Sequence, residues 1–422
     1  MKISFFHDAR LIKDADDKYY SIGFSYSIWK RYLRIFDDLL IATRVTTNTN
    51  KKNISELGYR LSSGKHVSFS PIYSYKNLKS FLLNYRDIKE EIRNVLLSTD
   101  GAIIRLPSVI GILACREAIK LDKKFIIETV GCSWDSMWNY GSIISKLIAG
   151  PMYLLQKKYT KKAPYVIYIT NEFLQRRYPS NGITKDGVAN VMIAPPSNEL
   201  IEKRIYKIKN MNKNNISIGL IGSLNVDYKG HKIAIKALSY LKSKGINAEL
   251  FFVGDGDQSR WRKLAKKQGV IDKVHFVGTL ASGEEIYSWL DKMDFYIQPS
   301  KAEGHGRALV EAVSRGCICF GSNIGGIPDT LHKEYLFSPK DYKRLAKLIM
   351  KAINNPDFAI QNIKRNAKKI SSFEHDIIQK KRDSILLEFR NSLNHNNCNN
   401  YNNYRKKFYF IGKRDSNEGK NI

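Results

Sequence analysis

The sequence predicts an α/β fold of two domains, each a parallel β-sheet flanked by helices. Short runs rich in β-branched and aromatic residues alternate with longer helical patterns, which is typical of strand–helix–strand units. The same alternation restarts after a polar segment in the middle of the chain. At 422 residues the chain is too long for one ordinary domain, and its 43% hydrophobic residues allow each half to bury a core.

Each half contains five predicted strands with helices between them. In the first half the strands are expected at Lys2–Phe6, Leu39–Thr43, Ala102–Leu106, Lys124–Val130 and Tyr165–Thr170. In the second half they are expected at Ile216–Ile221, Glu249–Val253, Val274–Val277, Phe295–Gln298 and Cys317–Phe320. Helices are expected at Ser25–Phe36, from about Tyr75 onward, and at Lys229–Lys242, Gln258–Gln268, Gly283–Leu290 and Arg307–Arg315. The shared rhythm predicts two Rossmann-like domains facing one another across a cleft.

The polar, Lys- and Asn-rich segment at residues 196–214 is interpreted as the linker between the domains. It separates an N-terminal domain at residues 1–195 from a C-terminal domain at residues 215–372. A helix at residues 373–393 is expected to close the fold. The basic, Asn-rich tail at residues 394–422 has low complexity and is expected to be disordered.

The net charge of +30 suits an anionic partner, either a lipid leaflet or a nucleic acid. It is equally explained as background, since lysine is abundant throughout the chain. The charge is diffuse and accompanies no recognised nucleic-acid motif, so we expect no nucleic-acid partner. An apolar stretch, Leu147–Leu155, is followed by a basic cluster: Lys157, Lys158, Lys161 and Lys162. Basic residues also crowd the helix that begins near Tyr75. Both patterns suit a peripheral anchor on an anionic membrane, and both equally suit a core-facing helix with a solvated basic side.

Several features suit a reducing cytoplasm, with a peripheral position on the inner face of the plasma membrane as an option. The N-terminal residues MKISFFH show no signal-peptide pattern, and no apolar run reaches the length of a bilayer span. The five cysteines are sparse, and we interpret Cys317 and Cys319 as small buried core residues. No HExxH or paired-cysteine motif indicates zinc.

The segment at residues 299–312 carries the clearest chemistry in the sequence. It follows a predicted strand and opens a helix, whose first N–H groups and positive dipole end favour an anion. Gly304 and Gly306 would let a diphosphate approach the backbone closely. Glu303 and Glu311 are carboxylate acceptors suited to sugar hydroxyls. The alternative is a strand–loop–helix junction that uses glycine for the turn and glutamate for solubility.

Further loops follow the other predicted strands of the second half. Lys229 starts a helix there, where its ammonium group could neutralise a diphosphate. Glycine-rich turns lie at Gly254–Gly256, at Gly278 and at Gly325–Asp329. All five loops leave the carboxyl ends of parallel strands, the edge at which such sheets bind ligands. The sequence lacks a complete dinucleotide fingerprint and a GxxxxGK[ST] phosphate-binding loop.

In combination these motifs resemble the retaining glycosyltransferases of family 4, which have the GT-B fold. Glu303 and Glu311 match the Glu-x7-Glu motif and Lys229 matches the family's lysine. The GDG turn matches Gly254–Gly256, and the GGxPE/D loop matches Gly325–Asp329. The resemblance implies a hexosyltransferase-type enzyme that transfers a sugar from a nucleotide-diphosphate sugar to a polysaccharide or lipid-linked oligosaccharide. It implies no cofactor and no catalytic metal, with the nucleotide sugar as co-substrate.

The resemblance also implies roles for the matched residues. Glu303 would hold hydroxyls of the donor sugar, and Glu311 would hold the ribose. Lys229 would stabilise the leaving diphosphate, which makes it the largest expected contributor to rate. The Gly304–Gly306 backbone would bind the phosphates. The rest of the expected donor-binding set is Gly23, Ser223, Gly254, Gly278, His305 and Arg307.

The first half resembles the family more faintly, in the form seen in bacterial exopolysaccharide and O-antigen transferases. His7 and Asp8 are expected to end the first strand on the acceptor side. Glu128 lies where many relatives have a histidine near the acceptor. Phe173–Pro179 fits the loop beyond the last strand of the N-terminal domain, and the closing helix is expected to pack back on that domain.

Two departures from the family pattern leave alternatives open. Ser223 stands where most relatives place a phosphate-binding arginine, and the segment Glu128–Cys132 contains no histidine. Either another cation such as Arg307 replaces the arginine, or the chain is a degenerate protein that binds a sugar nucleotide without transfer. A GT-B relative that acts on the nucleotide sugar itself, such as an epimerase, is a further alternative. His305 is either a phosphate or sugar contact or an exposed loop residue.

Overall fold

The computed structural model describes residues 1–47, 54, 58–73, 75, 78–139, 142–191 and 193–411, with side chains through residue 394. The chain divides into two compact units, Met1–Ile127 with Arg382–Ile422 and Glu128–Lys381. These divisions fall elsewhere than the boundaries expected from the sequence. The assignment of residues 1–195 and 215–372 to two domains therefore stays a prediction.

The first unit is built on a mixed sheet around its long first strand. Its strands are β1 (Lys2–Lys13), β2 (Tyr19–Ser21), β3 (Asp38–Thr47), β4 (Arg60–Leu61), β5 (Val67–Ile72), β6 (Gly101–Leu106) and the start of β7 (Phe125–Thr129), whose last two residues belong to the second unit. Its helices are α1 (Tyr26–Leu33), α2 (Leu78–Leu83), α3 (Tyr85–Leu97) and α4 (Val109–Lys120). Strand β1 pairs in parallel with β3 and β6 and antiparallel with β2. Strand β5 extends the sheet in parallel beside β3.

Strand β1 does not end at His7 and Asp8 as predicted, but continues to Lys13. Its ladder with β3 shifts register between Phe6 and Arg10. Within that shift the hydroxyl of Thr43 donates to the carbonyl of His7 at 2.7 Å. The predicted strand end is therefore a bulge, which interrupts the pairing without ending the strand.

The helix predicted from Tyr75 onward is divided into α2 and α3 at Asn84. The Asn84 side chain donates to the carbonyl of Ser80 at 2.8 Å, a local hydrogen bond that competes with the helical ladder. Helix α3 buries its apolar face as expected, whereas Leu82 and Leu83 at the end of α2 are 62% and 75% exposed.

The second unit contains a fully parallel six-stranded sheet with the order β12-β11-β10-β13-β14-β15. These strands are β10 (Ile216–Ile221), β11 (Ala248–Val253), β12 (Val274–Gly278), β13 (Phe295–Gln298), β14 (Ile318–Ser322) and β15 (Leu336–Phe337). Two more strands, β8 (Tyr165–Tyr168) and β9 (Ile183–Lys185), pair in parallel. Five of the six sheet strands match the prediction; β15 has two residues and no detectable period.

The remaining helices follow along the chain from Ser133 to Ile411. They are α5 (Ser133–Trp138), α6 (Ile143–Lys162), α7 (Phe173–Arg177), α8 (Asn198–Lys209), α9 (His231–Ser243), α10 (Ser259–Lys267), α11 (Glu284–Lys292), α12 (Arg307–Ser314), α13 (Ile327–Thr330), α14 (Tyr342–Asn354), α15 (Pro356–Ile370) and α16 (His375–Ile411). None of the helices in the described ranges is long and apolar enough to cross a membrane.

Two segments expected to be irregular are helical. The predicted loop Phe173–Pro179 contains α7, and the segment interpreted as a linker contains α8. Helix α8 starts at Ser197, whose hydroxyl accepts the N–H of Leu200. Its Arg204 is buried and donates to the carbonyls of Leu290, Met293 and Arg315. These hydrogen bonds add to the burial of Ile205 and Ile208 on the same helix.

Helix α16 is longer than the predicted closing helix at residues 373–393 and continues to Ile411. From Arg382 onward it belongs to the first unit, where Phe389 packs edge-on against Phe36 with ring centroids 6.3 Å apart. This confirms that the closing helix packs back on the N-terminal residues. The helix enters the tail predicted to be disordered, and the remaining residues, 412–422, lie outside the described residues.

Candidate active site

The loops at the carboxyl ends of five strands lie side by side in the second unit. Four backbone hydrogen bonds connect them in series, each formed by an N–H donor and a carbonyl acceptor: Gly254 to Gly278 at 2.8 Å, Leu224 to Asp255 at 2.7 Å, Lys301 to Tyr228 at 2.7 Å and Gly326 to Gly304 at 2.8 Å. Strands β10 and β13 are neighbours, so the strand order reverses between them. Parallel sheets bind ligands at such a reversal. The structure confirms the predicted convergence of these loops.

Glycine is required where two of these loops touch. A Cβ atom on Gly325, which has a φ of +57°, would lie 2.0 Å from the carbonyl oxygen of Glu303. A Cβ atom on Gly304 would lie 2.7 Å from the carbonyl oxygen of Val130. The sequence predicted that Gly304 makes room for a diphosphate, whereas here its missing side chain makes room for backbone.

Lys229 and Glu303 form an ion pair between the loops that follow β10 and β13. The ammonium nitrogen of Lys229 lies 3.0 Å from Oε2 and 3.2 Å from Oε1 of Glu303, and the side chains are 22% and 11% exposed. Burial disfavours the charged lysine, but the attraction and hydrogen bond of Glu303 outweigh it and raise the pKa of Lys229. The lysine is therefore a cation at neutral pH, held against the carboxylate.

Glu303 is also held by polar side chains of β13 and its loop. The Gln298 amide donates to Oε2 of Glu303 at 3.1 Å and to the hydroxyl of Ser300 at 2.9 Å. The Ser300 hydroxyl donates to the same Oε2 at 3.2 Å. The hydroxyl of Tyr296 donates to Oε1 of Gln298 at 2.7 Å, which sets the orientation of the amide. The three supporting side chains are at most 1% exposed.

Sequence reasoning did not identify this supporting network. The available signal was Gln298, a polar residue at the end of the otherwise apolar strand β13. A buried polar side chain needs partners, so an unexplained glutamine in an apolar run indicates a nearby hydrogen-bond network.

Glu311 lies one turn inside helix α12 and is buried. It accepts a hydrogen bond from Nε of Arg307 at 2.8 Å, while the Arg307 side chain remains 65% exposed. The helix begins after Gly306, which has a φ of +80° and forms no side-chain cap. The first N–H groups of the helix therefore have no capping side chain, and an anion can take that place.

His305 is buried, so the expectation of an exposed loop residue is wrong. Its side chain is 5% exposed and packs edge-on against Phe373, with ring centroids 4.5 Å apart. Neither ring nitrogen has a hydrogen-bond partner among the described residues. Burial lowers the pKa of His305 to about 4, so the ring is neutral at physiological pH.

Ser223 contributes hydrogen bonds rather than charge. Its hydroxyl donates to the carbonyl of Asp255 at 3.4 Å and accepts the N–H of Asn225 at 3.4 Å. Arg260, which the sequence did not single out, donates to the carbonyl of the next residue, Leu224, at 2.5 Å. It also lies 2.9 Å from a carboxylate oxygen of Asp227. A cation therefore lies beside the loop that departs from the family pattern.

The predicted acceptor-side residues lie in both units. His7, in the first unit, is neutral because burial, Arg105 and Arg44 lower its pKa to about 3. Gly23 is also in the first unit, in the loop before α1, with open space around its Cα. Glu128 is 2% exposed on β7 and belongs to the second unit.

The carboxylate of Asp8 accepts hydrogen bonds from backbone and side-chain groups of the first unit. Its carboxylate accepts the N–H groups of Val109 and Ile110 at the start of α4, the latter at 3.2 Å. It also accepts the hydroxyl of Tyr75 at 3.0 Å. The aspartate thus satisfies the first N–H groups of a helix, a capping role that the sequence did not predict.

No group of three or more His, Cys, Asp or Glu residues that could hold a metal ion occurs among the described residues. The expectation that no catalytic metal is needed stays a prediction, because the diphosphate of a bound donor could itself supply ligands to a metal ion.

Comparison with known proteins relates this chain to one family. The family described as "Glycosyl transferases group 1" matches residues 201–370. Protein CapJ of Staphylococcus aureus is 40% identical over 394 residues, which are 93% of this chain and 97% of CapJ. The capsular polysaccharide biosynthesis glycosyltransferase CapM of Staphylococcus aureus is 23% identical over 260 residues, which are 56% of this chain and 65% of CapM.

Solved structures share the fold. HepE of Anabaena, in complex with UDP and glucose, superposes with a TM-score of 0.62, covering 92% of this chain and 99% of HepE at 17% identity. At that identity the likeness shows the fold alone. The chain has the GT-B fold predicted from its sequence, with two Rossmann-like α/β domains. The first sheet departs from the predicted parallel arrangement where β2 pairs antiparallel with β1 and β4.

Proposed function

Because this chain belongs to the group 1 glycosyltransferases, we propose that it transfers a hexose, with retention, from a nucleotide-diphosphate sugar to a growing glycan. The observation that carries the proposal is the Lys229–Glu303 ion pair at the reversal of strand order. It places side by side a cation, which a departing diphosphate requires, and a carboxylate, which can accept hydrogen bonds from sugar hydroxyls.

In the proposed reaction the ammonium group of Lys229 moves from Glu303 to an oxygen of the diphosphate. Negative charge develops on that diphosphate as the glycosidic bond breaks, so the lysine stabilises the transition state more than the bound donor. Glu303 then accepts hydrogen bonds from hydroxyls of the donor sugar. Gln298 and Ser300 hold its carboxylate in place during the exchange.

The remaining donor contacts are proposed around the start of helix α12. The uncapped N–H groups after Gly306 bind the phosphates, and the exposed guanidinium of Arg307 supplies charge where Ser223 supplies none. Glu311 accepts the ribose hydroxyls. We propose that the turns at Gly254 and Gly278, which backbone hydrogen bonds join to the loop after β10, bind the base.

We propose that the reaction needs no catalytic metal. Lys229 and the positive end of α12 provide the charge stabilisation that a divalent cation supplies in other transferases. Full activity in the presence of a chelator supports this part of the proposal, and restoration of lost activity by Mg²⁺ or Mn²⁺ contradicts it.

The proposed acceptor is a bacterial surface polysaccharide or its lipid-linked precursor. CapM, which aligns over 260 residues, is named for capsular polysaccharide biosynthesis, and this supports that class of acceptor. We place the reaction at the cytoplasmic face of the membrane, where lipid-linked glycans and nucleotide sugars meet.

The test is a panel of UDP-, GDP- and ADP-sugars assayed for transfer and hydrolysis, with membrane lipid extract as acceptor. Transfer from one donor that is lost in both Glu303→Ala and Lys229→Ala supports the proposal and identifies the sugar. The anomeric configuration of the product, read by NMR, tests retention. Conversion of the donor into another nucleotide sugar without any acceptor would instead favour an epimerase, and binding without turnover would overturn the proposed transfer.

A further inference from the structure

Helix α6 presents large apolar side chains to solvent. Four of them are mostly exposed: Ile143 at 78%, Ile144 at 63%, Leu147 at 73% and Leu154 at 64%. Their spacing places them along one side of the helix, together with the exposed Pro151. Contiguous exposed apolar groups of this size mark a surface that another molecule covers.

The protein core does not account for this strip, because α6 already buries its other side. Ala149, Met152 and Tyr159 are at most 7% exposed and form the face that packs inward. A surface helix of a globular protein normally has a polar side opposite its core-facing side. Helix α6 instead has an apolar strip there.

The charged residues of α6 indicate which kind of partner covers the apolar strip. The helix sequence contains five lysines, Lys146, Lys157, Lys158, Lys161 and Lys162, and no aspartate or glutamate. All five side chains are exposed. An apolar strip with basic residues at its end fits an anionic lipid surface, where the strip enters the interface and the lysines meet the headgroups.

An aromatic residue extends the same surface. Trp138 at the end of α5 is 45% exposed and stacks on Trp134, with ring centroids 5.0 Å apart. The ammonium nitrogen of Lys146, in the first turn of α6, lies 5.9 Å from the centroid of the Trp138 ring. Tryptophan is enriched at the boundary between lipid and water, because its ring is apolar and its N–H is polar.

We infer that the α6 surface, defined by Ile143, Ile144, Leu147, Leu154 and Trp138, docks this protein on an anionic membrane leaflet. No helix of the described chain can cross a bilayer, so the contact is peripheral. A second copy of the chain is disfavoured as occupant, because α6 has no aspartate or glutamate that could pair with the lysines of a facing α6. The inference adds a docking surface to the proposed function by specifying how the enzyme reaches a lipid-linked acceptor.

Vesicle binding tests the inference with the full-length protein. We expect co-sedimentation with vesicles of equal parts phosphatidylglycerol and phosphatidylcholine at low salt, and much weaker binding to pure phosphatidylcholine. Lipids brominated near the headgroup should quench tryptophan fluorescence, and Trp138→Phe should remove most of that quenching. Equal binding to both vesicle types, or unchanged quenching in Trp138→Phe, would overturn the inference.

A double variant, Ile144→Glu with Leu147→Glu, tests the strip directly. The matched control is Ile377→Glu with Leu387→Glu on α16, where these side chains are 41% and 44% exposed. We expect the α6 variant to bind anionic vesicles at least about tenfold more weakly, and the control to bind as the parent does. Equal loss in both variants, or retention in both, contradicts the assignment to α6. Sedimentation equilibrium of the parent tests whether a second copy of the chain covers this surface. A dimer that dissociates in the α6 variant would overturn membrane docking.

The lysines and the chemistry are tested separately. Changing Lys157, Lys158, Lys161 and Lys162 to glutamine should weaken binding by up to about fivefold for each lysine, with most of the loss at low salt. Hydrolysis of a water-soluble nucleotide sugar should be unchanged in all these variants. Donor turnover without vesicle binding would reject the docking surface alone, whereas vesicle binding without donor turnover would reject the proposed transfer alone.

Discussion

The ammonium group of Lys229 lies 3.0 Å from Oε2 of Glu303, although the two residues are 74 positions apart in the sequence. This pair joins the loops after β10 and β13, the neighbouring strands at which the sheet reverses its order. Against the effect of burial, the carboxylate of Glu303 raises the pKa of Lys229 and keeps its ammonium group charged. In the proposed reaction this cation passes to the leaving diphosphate.

Replacing Lys229 by methionine should lower kcat by about 10²- to 10³-fold, with a smaller change in KM, because its charge acts mainly on the developing diphosphate. Glu303→Gln should also lower kcat, and it should lower the pKa of Lys229 by removing the nearby carboxylate. Steady-state kinetics with the cognate donor measure both effects. An increase in KM alone for Lys229→Met would show that the lysine only binds the donor.

Gln298→Leu should destabilise the protein by about 1–3 kcal/mol, because it leaves the buried hydroxyl of Tyr296 without its acceptor. It should also lower kcat, because Glu303 loses a hydrogen bond that positions it. Removing both partners of a buried hydrogen bond costs less than removing one. The double variant Tyr296→Phe with Gln298→Leu should therefore recover stability in thermal unfolding and leave kcat low. Recovery of kcat along with stability would show that Gln298 is only structural.

Gly325→Ala should disrupt the active-site loops, since the new Cβ would lie 2.0 Å from the carbonyl oxygen of Glu303. Gly245→Ala is the matched control: Gly245 also has a positive φ, of +75°, but nothing lies within 4 Å of its Cβ position. The control should cost about 1 kcal/mol of stability and no activity. Gly325→Ala should cost more stability and lose most donor binding, measured by calorimetric titration. Equal effects of the two substitutions would show that backbone strain alone is responsible.

The free energy of unfolding should decrease as the pH falls below about 6.5. The reason is that the buried histidines bind protons at a higher pH in the unfolded chain than in the folded protein. Burial lowers the pKa of His305 to about 4, so its contribution is present above the unfolded pKa and is lost between pH 6.5 and about 4. His305→Phe should keep the packing on Phe373 and reduce the loss in that window, by on the order of 3 kcal/mol at pH 4. Denaturant unfolding at several pH values measures the slope. If the unfolding free energy of His305→Phe depends on pH as the parent's does, the His305 ring is protonated in the folded protein as readily as in the unfolded chain.

The strand pattern of the second unit was predictable because buried parallel strands are apolar runs bounded by glycine-rich turns. Strands β10 and β13 have the predicted bounds, Ile216–Ile221 and Phe295–Gln298. The same principle missed β15, which is two residues long, and helix α8, whose Arg204 is anchored by hydrogen bonds to distant carbonyls. In α8, Ile201, Ile205 and Ile208 do recur at helical spacing, but the Lys- and Asn-rich composition around them suggested a linker.

The fold class, the family and the charged residues at the candidate site could be predicted from the sequence, because they depend on local patterns of residue type. The tertiary structure was needed to show that Gln298 supports Glu303, that His305 is a buried neutral ring and that Asp8 caps a helix. It also decided that α6 has an apolar strip facing solvent rather than core. The physical reason is that burial and hydrogen-bond partners are set by contacts between segments far apart in the chain, which leave no pattern within either segment.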